Sequence, residues 1–206
     1  MTIATTNGAT TNILGNSGTA NIAVHNSGTG NITLNTASGN VNLTRSGPAG
    51  AGSGTSFDNA GGAIDLAVQG GSLTVAANGG GLLATGNIVA RSNGAINVND
   101  AVNSSSGEIK LVAGRASGMS NVSEGTWGNA TGYQLAPIDI NAPIRSGYTL
   151  RPGATSLDGN IEMYSTGPIT QSATLGAGTQ SFYGTSLSQG KMTAITFNNG
   201  VQAAPI

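Results

Sequence analysis

The stretch that decides the fold is residues 18–46, which read GTANIAVHNSGTGNITLNTASGNVNLTRS. It contains three similar phrases, built around Asn21-Ile22, Asn31-Ile32 and Asn40-Val41, and each phrase begins an alternation of apolar and polar residues. Alternation with a period of two predicts a β-strand with one buried face. The Gly, Asn and Ser residues between the phrases predict turns. The stretch therefore predicts short strands that recur with little variation.

The same alternation continues through the rest of the chain. No stretch of eleven residues keeps the apolar i, i+3, i+4, i+7 spacing of a helix, and 34 glycines interrupt almost every window. We therefore predict an all-β chain. The alternating segments are Ile64-x-Leu66-x-Val68, Leu73-x-Val75, Ile96-x-Val98, Ile109-x-Leu111, Ile138-x-Ile140 and Ile161-x-Met163.

The spacing of the strands allows two architectures, a β-sandwich or barrel and a β-solenoid. The near identity of the phrases favours the solenoid, because equal positions then stack in columns about 4.8 Å apart. Two steps have the size of a coil: Ile22 to Val41 is 19 residues and Ile88 to Ile109 is 21. We predict one β-solenoid over residues 1–206 with about ten coils, each holding two or three strands.

Each strand can be divided into inward and outward positions. In the first strands we assign Ile22, Val24, Ile32, Leu34, Val41 and Leu43 to the core. The outward set is polar or small, so we expect a solvated outer face with ladders of Asn and Thr. Only Asp139 and Glu162 have the sequence separation of vertical neighbours among its acidic members. This outward set is Ala23, Thr33, Asn42, Asp65, Thr74, Asn97, Lys110, Asp139 and Glu162.

Two segments break the rhythm and are predicted to be loops inserted into coils, residues 47–60 and 116–136. The second contains Trp127 and Tyr133, in a chain with only 4% aromatic residues. These two side chains either contact a partner or a sugar, or fold back over the flank of a coil. Arginine recurs before serine at Arg45, Arg91 and Arg145, where we expect it just past strand ends, discouraging lateral edge pairing.

Composition excludes several classes of partner. Charged residues make up 7% of the chain and its net charge is −1, so no basic patch for nucleic acid or for a membrane surface is expected. No apolar run is long enough to insert into a membrane. The absence of cysteine excludes disulfides and thiolate metal sites. The start, MTIATTNGATTN, does not resemble a secretion signal, so we expect an intracellular chain or a piece of a longer secreted protein.

The sequence offers little for catalysis. His25 is the only histidine, and we expect it to be a polar turn residue rather than a catalytic base. The glycine-rich stretch 79–86 lacks the Lys-Ser/Thr pair and the following helix of a phosphate loop, so it is predicted to be a corner. We predict no catalytic, cofactor-binding or metal-binding residues and no cofactor. A polysaccharide-cleaving β-helix enzyme is the remote alternative. Such enzymes need clustered carboxylates, and the acidic residues of the outward set are mostly several coils apart.

Three stretches carry a resemblance to a known family. Residues 158–182, DGNIEMYSTGPITQSATLGAGTQSF, resemble the repeat of filamentous haemagglutinin-like exoproteins, and GEIKLVAGR (107–115) and IDINAPIRSG (138–147) are similar to phrases of that family. The resemblance implies a right-handed parallel β-helix in a large bacterial protein exported by two-partner secretion. It also implies a role as an adhesin or as the stalk of a contact-dependent toxin. The chain lacks the family's signal peptide and amino-terminal secretion domain, which indicates internal coils or a shorter relative.

We therefore expect a structural or adhesive segment of a bacterial cell-surface or secreted filamentous exoprotein. The alternative is a subunit that assembles end to end into an extracellular fibre, because open solenoid ends leave backbone groups unpaired. The expected partners are adjacent coils or subunits of the same protein, and a host or bacterial surface receptor or glycan.

Overall fold

The computed structural model describes residues 2–5, 7–13, 18–44, 57–114, 136–146, 160–173, 175–176, 179–184 and 195–197. This part of the chain contains twenty β-strands and no helix. The strands are β1 Thr2–Thr5, β2 Ala9–Ile13, β3 Thr19–Thr29, β4 Ile32–Thr36, β5 Asn40–Leu43, β6 Phe57–Gly61, β7 Ile64–Val68, β8 Leu73–Val75, β9 Leu82–Ala84, β10 Ile88–Ser92, β11 Ile96–Val98, β12 Val102–Ser104, β13 Ile109–Ala113, β14 Ile138–Ile140, β15 Ile144–Ser146, β16 Asn160–Ser165, β17 Ile169–Gln171, β18 Leu175–Gly176, β19 Thr179–Gly184 and β20 Ile195–Phe197.

The strands form the three faces of a right-handed parallel β-helix. The first face contains β1, the second half of β3, β6, β9, β12, β15 and β18. The second face contains β2, β4, β7, β10, β13, β16 and β19. The third face contains the first half of β3, then β5, β8, β11, β14, β17 and β20. Because consecutive strands pass from one face to the next, three strands complete one coil, and the predicted β-solenoid is confirmed.

The described residues form seven coils, fewer than the predicted ten or so. Several connections between these strands contain residues outside the described part. Residues 45–56 lie between β5 and β6, 115–135 between β13 and β14, and 147–159 between β15 and β16. The predicted loop 47–60 extends too far, because β6 begins at Phe57. The predicted loop 116–136 lies outside the described residues except for Ala136.

The first and third phrases of the opening stretch stack on the third face, whereas the second phrase lies on the second face. The phrases at Ile32 and Val41 form β4 on the second face and β5 on the third. The first phrase lies in β3, whose register pairs Ala20 with Val41 and Ile22 with Leu43. The predicted step from Ile22 to Val41 is therefore wrong by two residues. The step from Ile88 to Ile109 is confirmed, since these two residues pair directly.

The strand β3 also explains the one wrong outward assignment in this stretch. Its first half pairs with β5 on the third face, and its second half pairs with β6 on the first face. Around the point where the strand changes face, Ile22, Ala23 and Val24 are all buried in succession. Ala23 was predicted to face outward, yet it is only 1% exposed. Alternation fails there because a strand that changes face presents neighbouring residues to the interior.

The core consists of columns of equal residues. On the second face, one inward column contains five isoleucines in register, and the next contains the residues two positions later in the same strands. All of these side chains are buried, which confirms the predicted inward positions. Each coil therefore buries its apolar surface against the coils above and below it, and stability propagates between neighbours. The two columns are Ile32, Ile64, Ile88, Ile109 and Ile161, and Leu34, Leu66, Ala90, Leu111 and Met163.

The corners between the first and second faces contain buried amides. The Asn26 side chain donates to Asn59 Oδ1 over 2.8 Å, and Asn59 Nδ2 donates to the Ala63 carbonyl over 2.8 Å. In later coils a serine takes the same position, and Ser104 Oγ donates to the Gly86 carbonyl over 2.8 Å. Bends expose backbone carbonyls that no strand partner reaches, so these side chains provide the missing hydrogen bonds.

The Gly-Asn pairs of the repeated phrases also have a structural role at this corner. Asn31 Oδ1 accepts a hydrogen bond from the Ala63 amide over 3.0 Å, and Asn87 Oδ1 accepts one from the Glu108 amide over 2.9 Å. A Cβ atom added to Gly107 would lie 2.4 Å from the Asn87 nitrogen. The glycine lets the backbones of adjacent coils approach closely, and the asparagine links each coil to the next.

Removing one coil in register tests the column arrangement. Deletion of residues 88–108 joins Asn87 to Ile109, which already pairs with Ile88, so β13 takes the place of β10 beside β7. We expect this variant to fold cooperatively and to keep its β circular dichroism spectrum.

The matched control deletes residues 88–109 and places Lys110 at the inward position. A shift of one residue moves every side chain to the opposite face of the sheet, so we expect this control to lose its cooperative urea transition. Equal stability of the two deletions would contradict the register.

Candidate functional site

The most distinctive surface is the outer side of the second face. Its strands have two outward positions, which form two columns along the solenoid. We call the column between the two inward columns the entry column; it contains Thr33, Asp65, Val89, Lys110 and Glu162. We call the column that follows the second inward column the exit column; it contains Asn35, Ala67, Arg91, Val112 and Tyr164.

One ion pair crosses between the columns. The Arg91 guanidinium donates to Asp65 Oδ1 on the adjacent strand. The Arg91 side chain is 8% exposed, whereas that of Asp65 is 41% exposed. Arg91 Nε is buried and has no hydrogen-bond partner among the residues that the structure describes. Asp65 is thus the anion that compensates a nearly buried cation, and losing it would leave that charge unpaired.

A second cluster, on β13 and β16 of the same face, contains Lys110, Glu162 and Tyr164. Lys110 Nζ lies 2.9 Å from Glu162 Oε2, and the Tyr164 hydroxyl donates to the same carboxylate oxygen over 3.2 Å. Lys110 Nζ also lies 5.8 Å from the centroid of the Tyr164 ring, within the range of a cation–π interaction. Lys110, Glu162 and Tyr164 thus interact with one another through an ion pair, a hydrogen bond and a cation–π contact, which is typical of a structural network.

The two columns differ in burial. The entry column is only partly buried, in line with the predicted solvated face. In the exit column, Val112 is 0% exposed and Tyr164 is 2% exposed, although both side chains leave the sheet on its outer side. The predicted solvated set contains no residue of the exit column, so the burial of this column is a feature that the sequence did not indicate. An alternating pattern shows which residues point outward, but it carries no information about what covers them.

The predicted acidic neighbours are separated by the fold. Glu162 lies on the second face, whereas Asp139 lies in β14 on the third face. Asp65 shares the entry column with Glu162, but β10 and β13 lie between them. Strand spacing alone cannot assign a strand to one of three faces, which is why this pairing is wrong. In the described part of the chain, no group of three or more His, Asp or Glu side chains could hold a metal ion.

The outer side of the third face bears polar ladders, which confirms the expected Asn and Thr columns. Within the strands, Asn42 Nδ2 donates to Asn21 Oδ1 over 3.2 Å. Just beyond the strands, Asn141 Nδ2 donates to Asn99 Oδ1 over 3.0 Å. Such ladders link successive coils on the outside as the core does on the inside. Further pairs are Asn97 with Thr74, Thr170 with Asp139, and Ser172 with Asn141.

The remaining candidates lie apart from one another. His25 lies within β3 on the first face, not in a turn as predicted, and pairs in register with Asp58. Arg91 and Arg145 lie inside β10 and β15, on different faces, and not past the strand ends. Arg45, Trp127 and Tyr133 lie outside the described residues.

Neither ion pair was predicted from the sequence, although alignment of the repeated phrases indicates one of them. Lys110 and Glu162 occupy the same position of two similar phrases, GEIKL and GNIEM, and equal positions of stacked strands become neighbours. The pair between Asp65 and Arg91 is diagonal, because the two residues occupy different strand positions. Phrase alignment predicts only neighbours at equal positions, so it does not detect this pair.

Comparison of the chain with protein-family models, curated proteins and solved structures finds no match. Among the described residues, no helix has the length and hydrophobicity needed to span a membrane.

The unequal burial of the cations Arg91 and Lys110 predicts unequal effects of removing their anions on the free energy of unfolding. Asp65→Asn leaves the nearly buried Arg91 guanidinium without its anion, so we expect a loss of about 1–3 kcal/mol in the free energy of unfolding. Arg91→Met removes the charge but keeps most of the packed stem, so adding it to Asp65→Asn should recover part of that loss.

Glu162→Gln is the matched control, because the Lys110 side chain is 23% exposed, against 8% for Arg91, so the pair with the better solvated cation should contribute less than about 1 kcal/mol. Urea denaturation of Asp65→Asn, of its combination with Arg91→Met, and of Glu162→Gln measures these differences in the free energy of unfolding. Equal costs for Asp65→Asn and Glu162→Gln would contradict the compensating role of Asp65.

Proposed function

We propose that this chain is a structural, adhesive segment of a bacterial cell-surface or secreted filamentous exoprotein. In this role it acts as a stalk that holds binding segments away from the cell. The observation that carries the proposal is the unbroken parallel pairing of all three faces, from the first coil to the last. No coil in the described part of the chain interrupts this stack.

The stack supports a stalk because its hydrogen bonds run along the long axis. The Ile32 amide donates to the Ala63 carbonyl over 2.9 Å, and the Ile64 amide donates to the Asn87 carbonyl over 2.8 Å. The same link recurs from Ile88 to Glu108 over 2.8 Å. Every coil is therefore fixed to the next by backbone bonds at about 4.8 Å spacing. A rod of this construction resists bending and extends in proportion to its number of coils.

The charged side chains also support a structural role. Asp65 is paired with Arg91, and Lys110 with Glu162, across neighbouring coils of the second face. Surface adhesion then falls to the inserted segments, since insertions in solenoids project from one face and often bind. Trp127 and Tyr133 are the proposed contact residues for a receptor or glycan on a host or bacterial surface.

An adhesion assay tests this proposal. Beads coated with the purified chain should bind to bacterial or host cells, or to immobilised glycans, more strongly than uncoated beads. Trp127→Ala should weaken binding by about tenfold or more, because aromatic residues dominate contact energies. Asn97→Ala, on the outer side of the third face, is the matched control and should have no effect. If the coated beads bind none of these cells or glycans better than uncoated beads do, the adhesive role is contradicted.

A second candidate is a subunit that assembles end to end into an extracellular fibre. It is favoured by the terminal coils: β18, β19 and β20 each pair with a single strand among those described. Their other edges have no partner among the described strands, and an edge strand of a parallel stack can accept a further coil. That coil can belong to the same chain or to a second copy joined head to tail.

Concentration dependence separates the two candidates. A stalk segment should remain monomeric in light scattering as its concentration rises, whereas a fibre subunit should form filaments of constant width in electron micrographs. Thr196→Pro removes a backbone donor from the edge strand β20 and should abolish filaments, while Thr196→Ala should not. Monomers alone at high concentration would exclude the fibre.

A further inference from the structure

The corner between β8 and β9 has a backbone conformation that few residues adopt. Residues 76–81 read AANGGG. Asn78 has a φ of 58°, and it is the one residue other than glycine with a positive φ among those that the structure describes. Gly80 and Gly81 follow with φ values of 90° and 85°. Asparagine and glycine tolerate this left-handed region, which is why the chain can turn here from the third face to the first.

Asn78 also precedes a glycine, and this order of residues is chemically reactive. The backbone nitrogen of the glycine attacks the side-chain carbonyl carbon of the asparagine, so that a C–N bond forms. The bond from that carbon to Nδ2 then breaks, and Nδ2 leaves as ammonia with the proton that the glycine amide has lost. Water opens the resulting succinimide ring at one of its two carbonyl carbons, which leaves an aspartyl or an isoaspartyl residue. Glycine favours the attack because no Cβ atom hinders its nitrogen.

The structure distinguishes the Asn-Gly pairs of the chain by how their backbone is held. The sequence contains four such pairs, three of which the structure describes. The Asn93 amide donates to the Val68 carbonyl over 3.0 Å, and the Gly94 amide donates to the Gly71 carbonyl over 2.8 Å. The Asn93 side chain donates to the Gln69 carbonyl. All three bonds reach the preceding coil, so ring closure at Asn93 requires two coils to separate.

The Asn7-Gly8 pair is also fixed to another coil. The Gly8 amide donates to Asn26 Oδ1 over 3.3 Å. Gly8 has a φ of 83°, and a Cβ atom added to it would lie 2.4 Å from the Asn31 carbonyl oxygen. Gly8 is therefore packed directly against the coil that follows, and its nitrogen reaches the Asn7 side chain only by leaving that contact.

Asn78 differs in the bonds around it. It is exposed to solvent, whereas Asn93 is partly buried. The Gly79 amide donates to the Ala76 carbonyl over 3.0 Å, which is a bond within the turn rather than between coils. Gly79 is buried, so the attack requires the turn to open. Because the bond that holds the turn is local, this opening costs less than the separation of two coils.

We propose that Asn78 is a modification site, which deamidates through a succinimide while the solenoid remains folded. The inference concerns this corner alone and does not depend on the proposed function.

The new charge weakens the corner. The Gly80 amide donates to Asp100 Oδ2 over 2.9 Å, and the Ala101 amide donates to Asp100 Oδ1 over 2.8 Å. Deamidation of Asn78 places a second carboxylate two residues from the glycine that holds the first. Like charges at such a corner repel each other, so the contact between Gly80 and Asp100 becomes less favourable.

The isoaspartyl product also lengthens the backbone by one atom, and the corner has no room for it. A Cβ atom on Gly81 would lie 2.5 Å from the Ala101 carbonyl oxygen. The same oxygen accepts a hydrogen bond from the Leu82 amide over 2.8 Å, which joins β9 to the next coil. A displaced corner therefore loosens β9 from β12.

Site-resolved mass spectrometry tests the modification in the full natural chain. The purified protein is incubated in mildly alkaline buffer at physiological temperature, one half folded and the other half in urea. Samples taken over days are digested, and each Asn-Gly peptide is analysed for replacement of the side-chain amide by a carboxylate. Asn93 is the matched internal control, because it has the same reactive neighbour in a fixed setting.

In the folded chain, Asn78 should deamidate at least about tenfold faster than Asn93, because its turn opens more easily. In urea the two should react at similar rates, since only the folded structure distinguishes them. Isoaspartyl methyltransferase, which methylates isoaspartyl carboxylates, should label the peptide that contains residue 78 in aged, folded material. Equal rates in the folded chain, or reaction of Asn78 in urea alone, would overturn the proposal.

The variant Asn78→Gly separates the modification from its effect on the corner. Glycine accepts the positive φ of this position and has no side-chain amide to lose. After the same incubation, hydrogen exchange of the Leu82 amide should accelerate by about tenfold or more in the natural chain and stay unchanged in Asn78→Gly. Unchanged exchange in the natural chain after conversion of Asn78 would contradict the weakening of the corner, and so would equal acceleration in both chains.

Discussion

In-register parallel stacking is the constraint on which the rest of the structure depends. Each coil rests on the one below through backbone bonds such as that from the Ile64 amide to the Asn87 carbonyl. A residue therefore meets the residue at the same position of the next coil, and it must be compatible with a near copy of itself. Isoleucine stacks well on isoleucine in the core, and asparagine bonds to asparagine outside, as Asn42 does to Asn21. The repetitive composition is a direct result of this requirement.

The corners of each coil are where the backbone loses hydrogen bonds to neighbouring strands. A bend takes backbone groups out of the ladder, and the chain compensates with buried side chains, first Asn26 and Asn59 and later Ser104 and Ser146. Asparagine, alanine (Ala84) and serine succeed one another at this position, so the corner accepts more than one residue type. Glycine meets the other need, which is space: a Cβ on Gly107 would collide with the backbone of the preceding coil.

The outer surfaces follow the same rule with one exception. On the third face, outward side chains bond to their equivalents in the next coil and remain polar. On the second face, Val112 and Tyr164 are buried although they occupy outward positions. The outer sides of the second and third faces therefore differ in burial as well as in polarity.

The sequence by itself determined the strand content, the solenoid, and the inward positions from Ile22 to Met163, because these depend only on alternation and on similarity between phrases. It also determined the Asn and Thr ladders. Only the tertiary structure decided the number of coils, the face on which each strand lies, and the partners that meet there. Asp139 and Glu162 were predicted to be neighbours and are on different faces, whereas Asp65 and Arg91 pair diagonally. The physical reason is that a period of two separates inside from outside, but a three-sided coil assigns faces through its corners, whose lengths vary with every insertion.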